Sequence, residues 1–149
     1  MSMYKRILVA TDGSSLSKKA VKAAIDLAGT CQAELVAVRV IPRYVQTYFE
    51  GSMPLDPKAV SQIESQWRSE AEQSLAAVQK AADAAHLSTK TLVVKGQSVA
   101  DALIQSAKKS KCDLIVMASH GRRGLSKLLL GSETQHVLTH AHIPVLVLR

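Results

Sequence analysis

The chain has 149 residues, of which 47% are hydrophobic and 21% are charged. This composition excludes the disordered, low-complexity and collagen-like classes, and a domain of this length buries roughly 68–70% of its unfolded surface. No apolar run approaches the ~20 residues that cross a bilayer, and no signal-type cleavage site follows the amino terminus. We therefore expect a single cytoplasmic domain over residues 1–149, with no membrane partner.

The formal net charge of +7 raises the question of a nucleic-acid partner. Basic domains bind phosphate backbones by releasing counterions. Here, however, the lysines and arginines are scattered along the chain, as on solvated helix faces, and only Arg122, Arg123 and Lys127 are concentrated. We expect no nucleic-acid partner. The two cysteines, Cys31 and Cys112, are far apart in the sequence and are expected to be free thiols.

Five apolar, β-branched runs have the character of strands buried on both faces of a sheet. The predicted strands are Tyr4–Ala10, Ala33–Ile41, Thr89–Val94, Asp113–Ala118 and Ile143–Leu148. Between them, apolar residues at steps of three and four indicate four helices. The predicted helices are Leu16–Ala28, Ala59–Ala85, Val99–Ala107 and Ser132–Thr139.

Local signals set the boundaries of these elements. Ser14 or Ser15 is a suitable N-cap for the first helix, and Gly29 is expected to close it. Pro42 is expected to end the second strand. Gly96 is predicted to form a turn, and the Ser98–Asp101 segment resembles a capping box that begins the third helix.

The long second helix carries an apolar stripe that predicts a core-facing side. Its members are Val60, Ile63, Trp67, Ala71, Leu75, Val78 and Ala82. The preceding segment, Pro42–Lys58, contains three prolines and the aromatic residues Tyr44, Tyr48 and Phe49. A loop of this length is unusual in a compact domain. It is either a lid or partner surface, or a mobile excursion whose aromatic side chains pack back on the domain.

Alternation of strands and helices predicts an α/β fold with a doubly wound, five-stranded parallel sheet covered by helices on both faces. The expected arrangement is Rossmann-like, with strand order 3-2-1-4-5. Ligands of such sheets bind at the carboxyl ends of the strands, where consecutive strands diverge. Two polar loops follow strand carboxyl ends, Thr11–Gly13 after the first strand and Ser119–Gly131 after the fourth. We expect them to face each other.

The second of these loops has the features of a phosphate site. Gly121 and Gly124 allow backbone N–H groups to converge on an anion, and Gly131 allows a phosphate to approach the helix that begins at Ser132. Ser132 adds a hydroxyl donor, and the basic residues after Gly121 raise the local potential. The alternative is that the glycines are turn residues and the arginines are solvated.

The residues ILVATDGS at positions 7–14 and GRRGLSKLLLGSETQHVLTHAHIPVLVLR at positions 121–149 resemble the universal stress protein family over essentially the whole chain. Nucleotide-binding members have the pattern G-x-x-G-x9-G-[S/T], which binds the phosphates and ribose of ATP. Gly121 matches its second glycine, and Gly131 and Ser132 match its end. Ala118 occupies the first glycine position, where a methyl group projects and positive φ is disfavoured.

The resemblance implies that Asp12 reaches the ribose or the metal side of the nucleotide, that Thr11 lines the pocket and that the Val40 backbone meets adenine. It implies ATP as the ligand, with or without Mg²⁺, and a homodimer formed through Ile143–Arg149. The predicted nucleotide-binding residues are Thr11, Asp12, Val40, Ala118, Ser119, His120, Gly121, Arg122, Gly131, Ser132, Glu133 and Thr134.

Three functions remain open at this point. The first is a cytoplasmic, ATP-binding stress-response regulatory protein that acts through an unidentified protein partner. The second is a slow ATP hydrolase or other ATP-using enzyme, with Asp12 holding Mg²⁺ and His120 near the γ-phosphate. The third is a protein-interaction member of the same family that has lost nucleotide binding through Ala118.

Two other kinds of site are disfavoured by the sequence. Ser119 and His120 are adjacent, so their side chains should diverge, and no G-x-S-x-G elbow accompanies them. His136, His140 and His142 could share a metal, but the residues around them do not complete a typical ligand set, and we expect structural or surface histidines. No Walker lysine precedes a serine or threonine, so efficient P-loop chemistry is not implied.

Overall fold

The computed structural model describes residues 3–43, 56–121 and 129–149. Strands and helices alternate along these ranges, as predicted. The strands are β1 (Arg6–Ala10), β2 (Glu34–Pro42), β3 (Thr89–Gly96), β4 (Leu114–Ala118) and β5 (Val145–Leu148). The helices are α1 (Ser15–Cys31), α2 (Pro57–Ala84), α3 (Val99–Lys109) and α4 (Ser132–His140).

The five strands form one parallel sheet in the order β3-β2-β1-β4-β5, which confirms the predicted topology. The central strand β1 pairs with β2 on one side and β4 on the other, so that Val9 lies opposite both Ala37 and Val116. The chain leaves β1 toward β2 and later returns to β4 on the opposite side. The strands therefore diverge between β1 and β4, and a crevice is expected at their carboxyl ends.

Side chains of each strand alternate between two cores, because successive residues of a strand point to opposite faces of the sheet. Ile7 and Val9 of β1 pack in the core that α1 and α2 cover. Leu8, between them, packs in the core that α3 and α4 cover. All three side chains are fully buried. Apolar residues at consecutive positions are therefore needed in the central strands, which explains their unbroken apolar runs.

Helix α1 begins where the sequence predicted and ends later. Ser14 is the N-cap, and its side chain accepts a hydrogen bond from the backbone N–H of Ser17. The prediction that Gly29 closes the helix is wrong, since α1 continues to Cys31. The left-handed residue that ends the helix is Gln32, with φ of 54°. A Cβ at Gly29 would meet nothing within 4 Å, so neither packing nor a turn requires glycine there.

Strands β2 and β3 are longer than predicted and end together, with Pro42 opposite Gly96. Both residues had been expected to lie outside the strands. Proline is accommodated because β1 ends at Ala10, opposite Val38. Beyond that point β2 has no β1 residue to receive a backbone N–H, so the missing donor of Pro42 costs no ladder bond on that side.

Helix α2 begins at Pro57, with Asp56 as its N-cap, two residues before the predicted start. Its 28 residues extend over ~42 Å, farther than the strands that it covers. Only the second half of the predicted core stripe is therefore buried, from Ala71 to Ala82. Val60, Ile63 and Trp67 in the first half are only partly buried, so the prediction of a full-length core face is wrong.

The predicted loop Pro42–Lys58 is shorter in the structure, because β2 takes Pro42 and α2 takes Pro57 and Lys58. Its aromatic residues, Tyr44, Tyr48 and Phe49, lie outside the described residues. Across the described ranges, no helix combines the length and the apolar character needed to cross a membrane.

Candidate functional site

The β1–α1 loop and the β4–α4 loop meet at the carboxyl ends of β1 and β4, as the topology predicted. A Cβ placed on Gly121 would lie 2.9 Å from Oδ2 of Asp12. A side chain at position 121 would therefore displace the carboxylate. The two loops therefore approach each other closely at Asp12 and Gly121.

Asp12 is held in place by its own loop. Its Oδ1 accepts a hydrogen bond of 2.8 Å from the backbone N–H of Ser14, two residues later. This is the geometry of an Asx turn, in which the side chain is held by the backbone of its own loop. The β1–α1 loop is fixed further by the hydrogen bond of 3.0 Å from the N–H of Thr11 to the carbonyl of Val38. The carboxylate is thus positioned before any ligand arrives.

A cavity of about 190 Å³ includes Asp12 and Gly121 in its wall and lies on the side of the sheet that α3 and α4 cover. Most of the predicted site residues line it. They are Thr11, Asp12, Val40, Ala118, His120, Gly121, Glu133 and Thr134. The structure therefore brings together residues from four separate segments of the chain, on β1, β2, β4 and α4 and the loops between them.

The wall also includes apolar residues that the sequence reasoning missed. Val38, Leu103 and Met117 form the deep part of the cavity together with Val40, and Val99 lies nearer the surface. Val99 is 39% exposed although it begins α3 as a large apolar residue. The helical periodicity had instead predicted that Val99 faces the core.

Ser119 and Gly131 do not line the cavity. The N–H of Gly131 donates to the carbonyl of Ser119 at 2.7 Å, and the N–H of Ser119 donates to the carbonyl of Leu148 at 2.7 Å. A Cβ on Gly131 would lie 3.3 Å from Cα of His120 and from the Ser119 carbonyl oxygen. Close packing of the loop against itself therefore explains this glycine without a ligand.

The side chains of Ser119 and His120 do not diverge, contrary to expectation. Oγ of Ser119 lies 3.2 Å from Nδ1 of His120, since the chain bends sharply after β4. Ser119 is nevertheless only 5% exposed, and its hydroxyl is not presented to the cavity. His120 lines the cavity wall, so only the histidine of this pair is placed to contact a ligand.

The first turn of α4 ties the site to its neighbours. Oγ1 of Thr134 donates to the carbonyl of Ala118 at 3.0 Å, which joins α4 to the end of β4. Oε2 of Glu133 accepts a hydrogen bond of 2.8 Å from the backbone N–H of Ala100, in the first turn of α3. Ser132 is exposed and lies outside the cavity wall. Both Glu133 and Thr134 therefore have structural roles beside any contact with ligand.

The basic part of the predicted phosphate loop, including Arg122, Arg123, Gly124 and Lys127, lies outside the described residues. Beyond that gap, Gly131 is the N-cap of α4 and supplies no side-chain hydrogen bond to the helix. The amino end of α4 carries partial positive charge, as every helix amino terminus does.

The sequence matches the model of the universal stress protein family over residues 3–149. The chain belongs to this family. A universal stress protein of Methanocaldococcus jannaschii is 35% identical over 150 residues, which cover 99% of this chain and 84% of that protein. The resemblance stated from the residues is therefore confirmed.

Solved structures agree in fold over the full length. A universal stress protein from Lactobacillus plantarum superposes with a TM-score of 0.85 at 25% identity, covering 100% of both chains. A universal stress protein solved in complex with cAMP superposes with a TM-score of 0.69 at 27% identity, covering 98% of this chain and 97% of that one. A chain of this family and fold can thus hold an adenine nucleotide.

The family resemblance aligns Ala118 with the first glycine of the nucleotide-binding motif. Ala118 ends β4, pairs with Leu148 and lines the cavity. Among the described residues, positive φ outside glycine occurs at Gln32, His86 and Lys111. Ala118 thus has an ordinary strand conformation. The expectation that a positive φ disfavours alanine at this position is therefore wrong. What remains of the difference is one methyl group in the cavity wall.

Two of the three histidines that had suggested a metal site contact each other, and one of these two contacts a carboxylate. The rings of His136 and His140 stack with centroids 4.2 Å apart, and Nε2 of His136 lies 3.0 Å from Oδ1 of Asp101. Within the described residues, no three His, Cys, Asp or Glu side chains are grouped so that they could share a metal ion. Cys31 and Cys112 are free thiols.

Proposed function

We propose that this universal stress protein binds an adenine nucleotide, ATP with or without Mg²⁺, in the cavity between β1 and β4. We propose further that it is a cytoplasmic stress-response regulator whose binding to a protein partner depends on the bound nucleotide. The observation that carries this proposal is the form of the cavity, which has an apolar interior and a polar entrance at the carboxyl ends of diverging strands.

The apolar interior suits a purine ring. Apolar side chains from the sheet line this part of the cavity, namely Val38, Val40 and Met117, and Leu103 lines it from α3. Ligand sites of this kind are lined mainly by apolar groups, with a few fixed polar groups that orient the ligand. Val40 also lines the cavity, and the family resemblance implies that its backbone meets the polar atoms of adenine.

The polar entrance suits ribose and phosphate. The Asp12 carboxylate accepts hydrogen bonds, and ribose hydroxyls donate them. Charge-assisted hydrogen bonds of this kind are stronger than neutral ones. The amino end of α4 supplies partial positive charge and backbone N–H donors for an anion. The cAMP complex of a related universal stress protein supports the same ligand class for this chain.

We propose that the protein is a homodimer through Ile143–Arg149. Strand β5 lies at an edge of the sheet, where it pairs with β4. Leu146 in this strand is 40% exposed although it is a large apolar residue. Exposed apolar edge strands are templates for pairing with another chain, so a second copy would cover both the edge and Leu146.

The binding proposal is tested on the purified protein. The protein is denatured, and released adenine nucleotide is identified by absorbance and mass; the emptied protein is then refolded and titrated with ATP by calorimetry. We expect saturable binding, which Asp12→Asn weakens about tenfold because the neutral amide retains the Asx turn and loses a charge-assisted hydrogen bond. An empty wild-type protein that does not bind ATP in the titration would refute the proposal.

A further inference from the structure

A second cavity lies on the opposite side of the sheet, between α1 and α2. Its volume is about 540 Å³, within the range of sites that hold small organic ligands. It opens near the carboxyl ends of β1 and β2, and its floor is formed by Val21 of α1 and Val78 of α2. These two side chains belong to the buried core, so the floor is rigid and apolar. We call this cavity the α1–α2 groove.

The groove is open because α2 presents small side chains along the stripe that faces α1. Ser74, Ala77 and Ala81 lie at steps of three and four and line the groove. Ala77 and Ala81 are exposed although they lie between two helices. Larger apolar residues at these positions would pack against α1 and fill the space. The sequence of α2 thus leaves a volume that packing alone would close.

A cation is held at the end of this apolar volume. The inward-facing residues of β2 on this side are Leu35, Ala37 and Arg39, and the first two are fully buried in the core. Arg39 continues the row at the groove, where it is partly buried. Its Nη1 donates a hydrogen bond of 2.9 Å to Oγ of Ser74, and Ser74 donates to the carbonyl of Ala71 at 3.1 Å. The guanidinium is thereby fixed against α2.

The charges that line the groove favour a single negative charge in a ligand. Lys18 of α1 and Arg39 of β2 are cationic, and Glu70 of α2 is anionic. Among the described residues that line the groove, the formal charge is therefore +1, from two cations and one anion. A guanidinium offers a planar set of donors that matches a carboxylate, and the ammonium of Lys18 adds a second positive charge. A phosphate dianion would carry more charge than this wall balances.

We propose that the α1–α2 groove binds a small organic monocarboxylate with a short apolar chain. The carboxylate lies at Arg39 and Lys18, and the chain lies on Val21, Val78 and Ala77. The valine floor contacts the apolar chain, and the two cations balance the negative charge of the carboxylate. The groove and the nucleotide cavity lie on opposite sides of the sheet, and Thr11 at the end of β1 lines both of them.

The test uses hexanoate as the probe on the full-length, ¹⁵N-labelled protein. Amide resonances are followed by NMR while hexanoate is added, with hexanamide and hexylammonium as neutral and cationic probes of the same chain length. We expect saturable shifts at Arg39, Ser74 and Ala77 with hexanoate, weaker shifts with hexanamide and none with hexylammonium. Absence of saturation with hexanoate, or equal binding of hexylammonium, would overturn the proposal.

Two variants and a matched control locate the site. Ala77→Leu fills the groove from an exposed helix position, and we expect it to weaken hexanoate binding by at least about tenfold. Ala76→Leu makes the same change at the adjacent exposed residue, which does not line the groove, and should bind like the wild type. Arg39→Gln retains a donor for Ser74 and should remove the preference for hexanoate over hexanamide. Unchanged binding by Ala77→Leu, or an unchanged preference in Arg39→Gln, would contradict the assignment.

Discussion

Ala118 differs from the motif glycine by one methyl group, and that group lies in the wall of the proposed nucleotide cavity. Since its backbone has an ordinary strand conformation, the methyl group should act only by occupying space. We expect Ala118→Gly to raise ATP affinity several-fold while it lowers the free energy of unfolding by about 0.5–1 kcal/mol. Calorimetry and urea unfolding measure the two effects.

Ala10→Gly is the matched control for this change. Ala10 ends the neighbouring strand β1 and also lines the cavity, but it does not occupy a motif position. The control should lower stability to a similar extent and leave ATP affinity within about twofold of the wild type. If both variants raised affinity equally, the motif position would have no special role.

The Cys112 thiol makes the free energy of unfolding depend on pH in the alkaline range. The thiol is 7% exposed in the core under α3, and burial raises its pKa from 9.0 to about 11, partly opposed by Arg6. In the unfolded chain the thiol loses its proton near pH 9, whereas in the folded chain it stays protonated. Its contribution is therefore complete below pH 9 and is lost as the pH rises toward 11, by about 2–3 kcal/mol.

Urea unfolding at pH 8, 9, 10 and 10.5 measures this contribution. We expect the wild type to lose stability with rising pH more steeply than Cys112→Ala does, and Cys31→Ala, which keeps Cys112, to follow the wild-type slope. Parallel curves for the wild type and Cys112→Ala would show that the Cys112 thiol titrates alike in both states.

At the level of elements, the amino ends of α3 and α4 are joined by Glu133. Its carboxylate accepts a hydrogen bond from the N–H of Ala100 at the positive end of α3. We expect Glu133→Ala to lower the free energy of unfolding by about 1 kcal/mol, and Glu133→Gln to lower it less because an acceptor oxygen remains. Urea unfolding at low and high salt checks both values.

The same variants also separate two roles of Glu133. Sequence and family resemblance placed this residue at the nucleotide, whereas the structure commits its carboxylate to α3. Ser132→Ala, at the adjacent exposed residue, is the control for stability. A large loss of ATP affinity in Glu133→Ala without a loss of stability would mean that Glu133 contacts the ligand and does not serve as a cap.

The elements that could be predicted from the sequence are those with local causes. The buried strand Leu114–Ala118 is an unbroken apolar run, and Ser14 is a capping residue directly before a helical stripe. Both signals are complete within a few residues. The alternation of elements predicted the doubly wound parallel sheet, and the polar loops at strand carboxyl ends predicted that the loops of Asp12 and Gly121 would face each other.

The missed features depend on residues that are distant in sequence. Val38 and Met117 are indistinguishable from core residues in the sequence, and only the crevice between β1 and β4 makes them cavity residues. Gly131 follows the phosphate pattern, yet its close approach to His120 arises from how the loop packs. Gln32 adopts the left-handed conformation that Gly29 had been expected to supply, because the helix continues for three more residues, which is nearly one turn.

For the whole molecule, the edge strand β5 carries the proposed dimer interface. We expect Leu146→Lys to convert a dimer to a monomer, since a lysine on an edge strand opposes pairing with a second copy. Size-exclusion chromatography with light scattering measures the mass. Ala76→Lys is the control. Ala76 is exposed on α2, and α2 packs on β2 and β3, toward the sheet edge opposite to β5. A wild-type monomer, or a dimer that survives Leu146→Lys, would contradict the interface.

The central claim is that a universal stress protein with alanine at position 118 binds an adenine nucleotide in the cavity between β1 and β4. Titration of the ¹⁵N-labelled protein with ATP, followed residue by residue by NMR, tests it most directly. We expect saturable shifts at Val40, Leu103 and Gly121, with the amides of Ser74 and Ala77 in the α1–α2 groove unchanged. No saturable shift at the first three residues, or saturation confined to the groove, would contradict the claim.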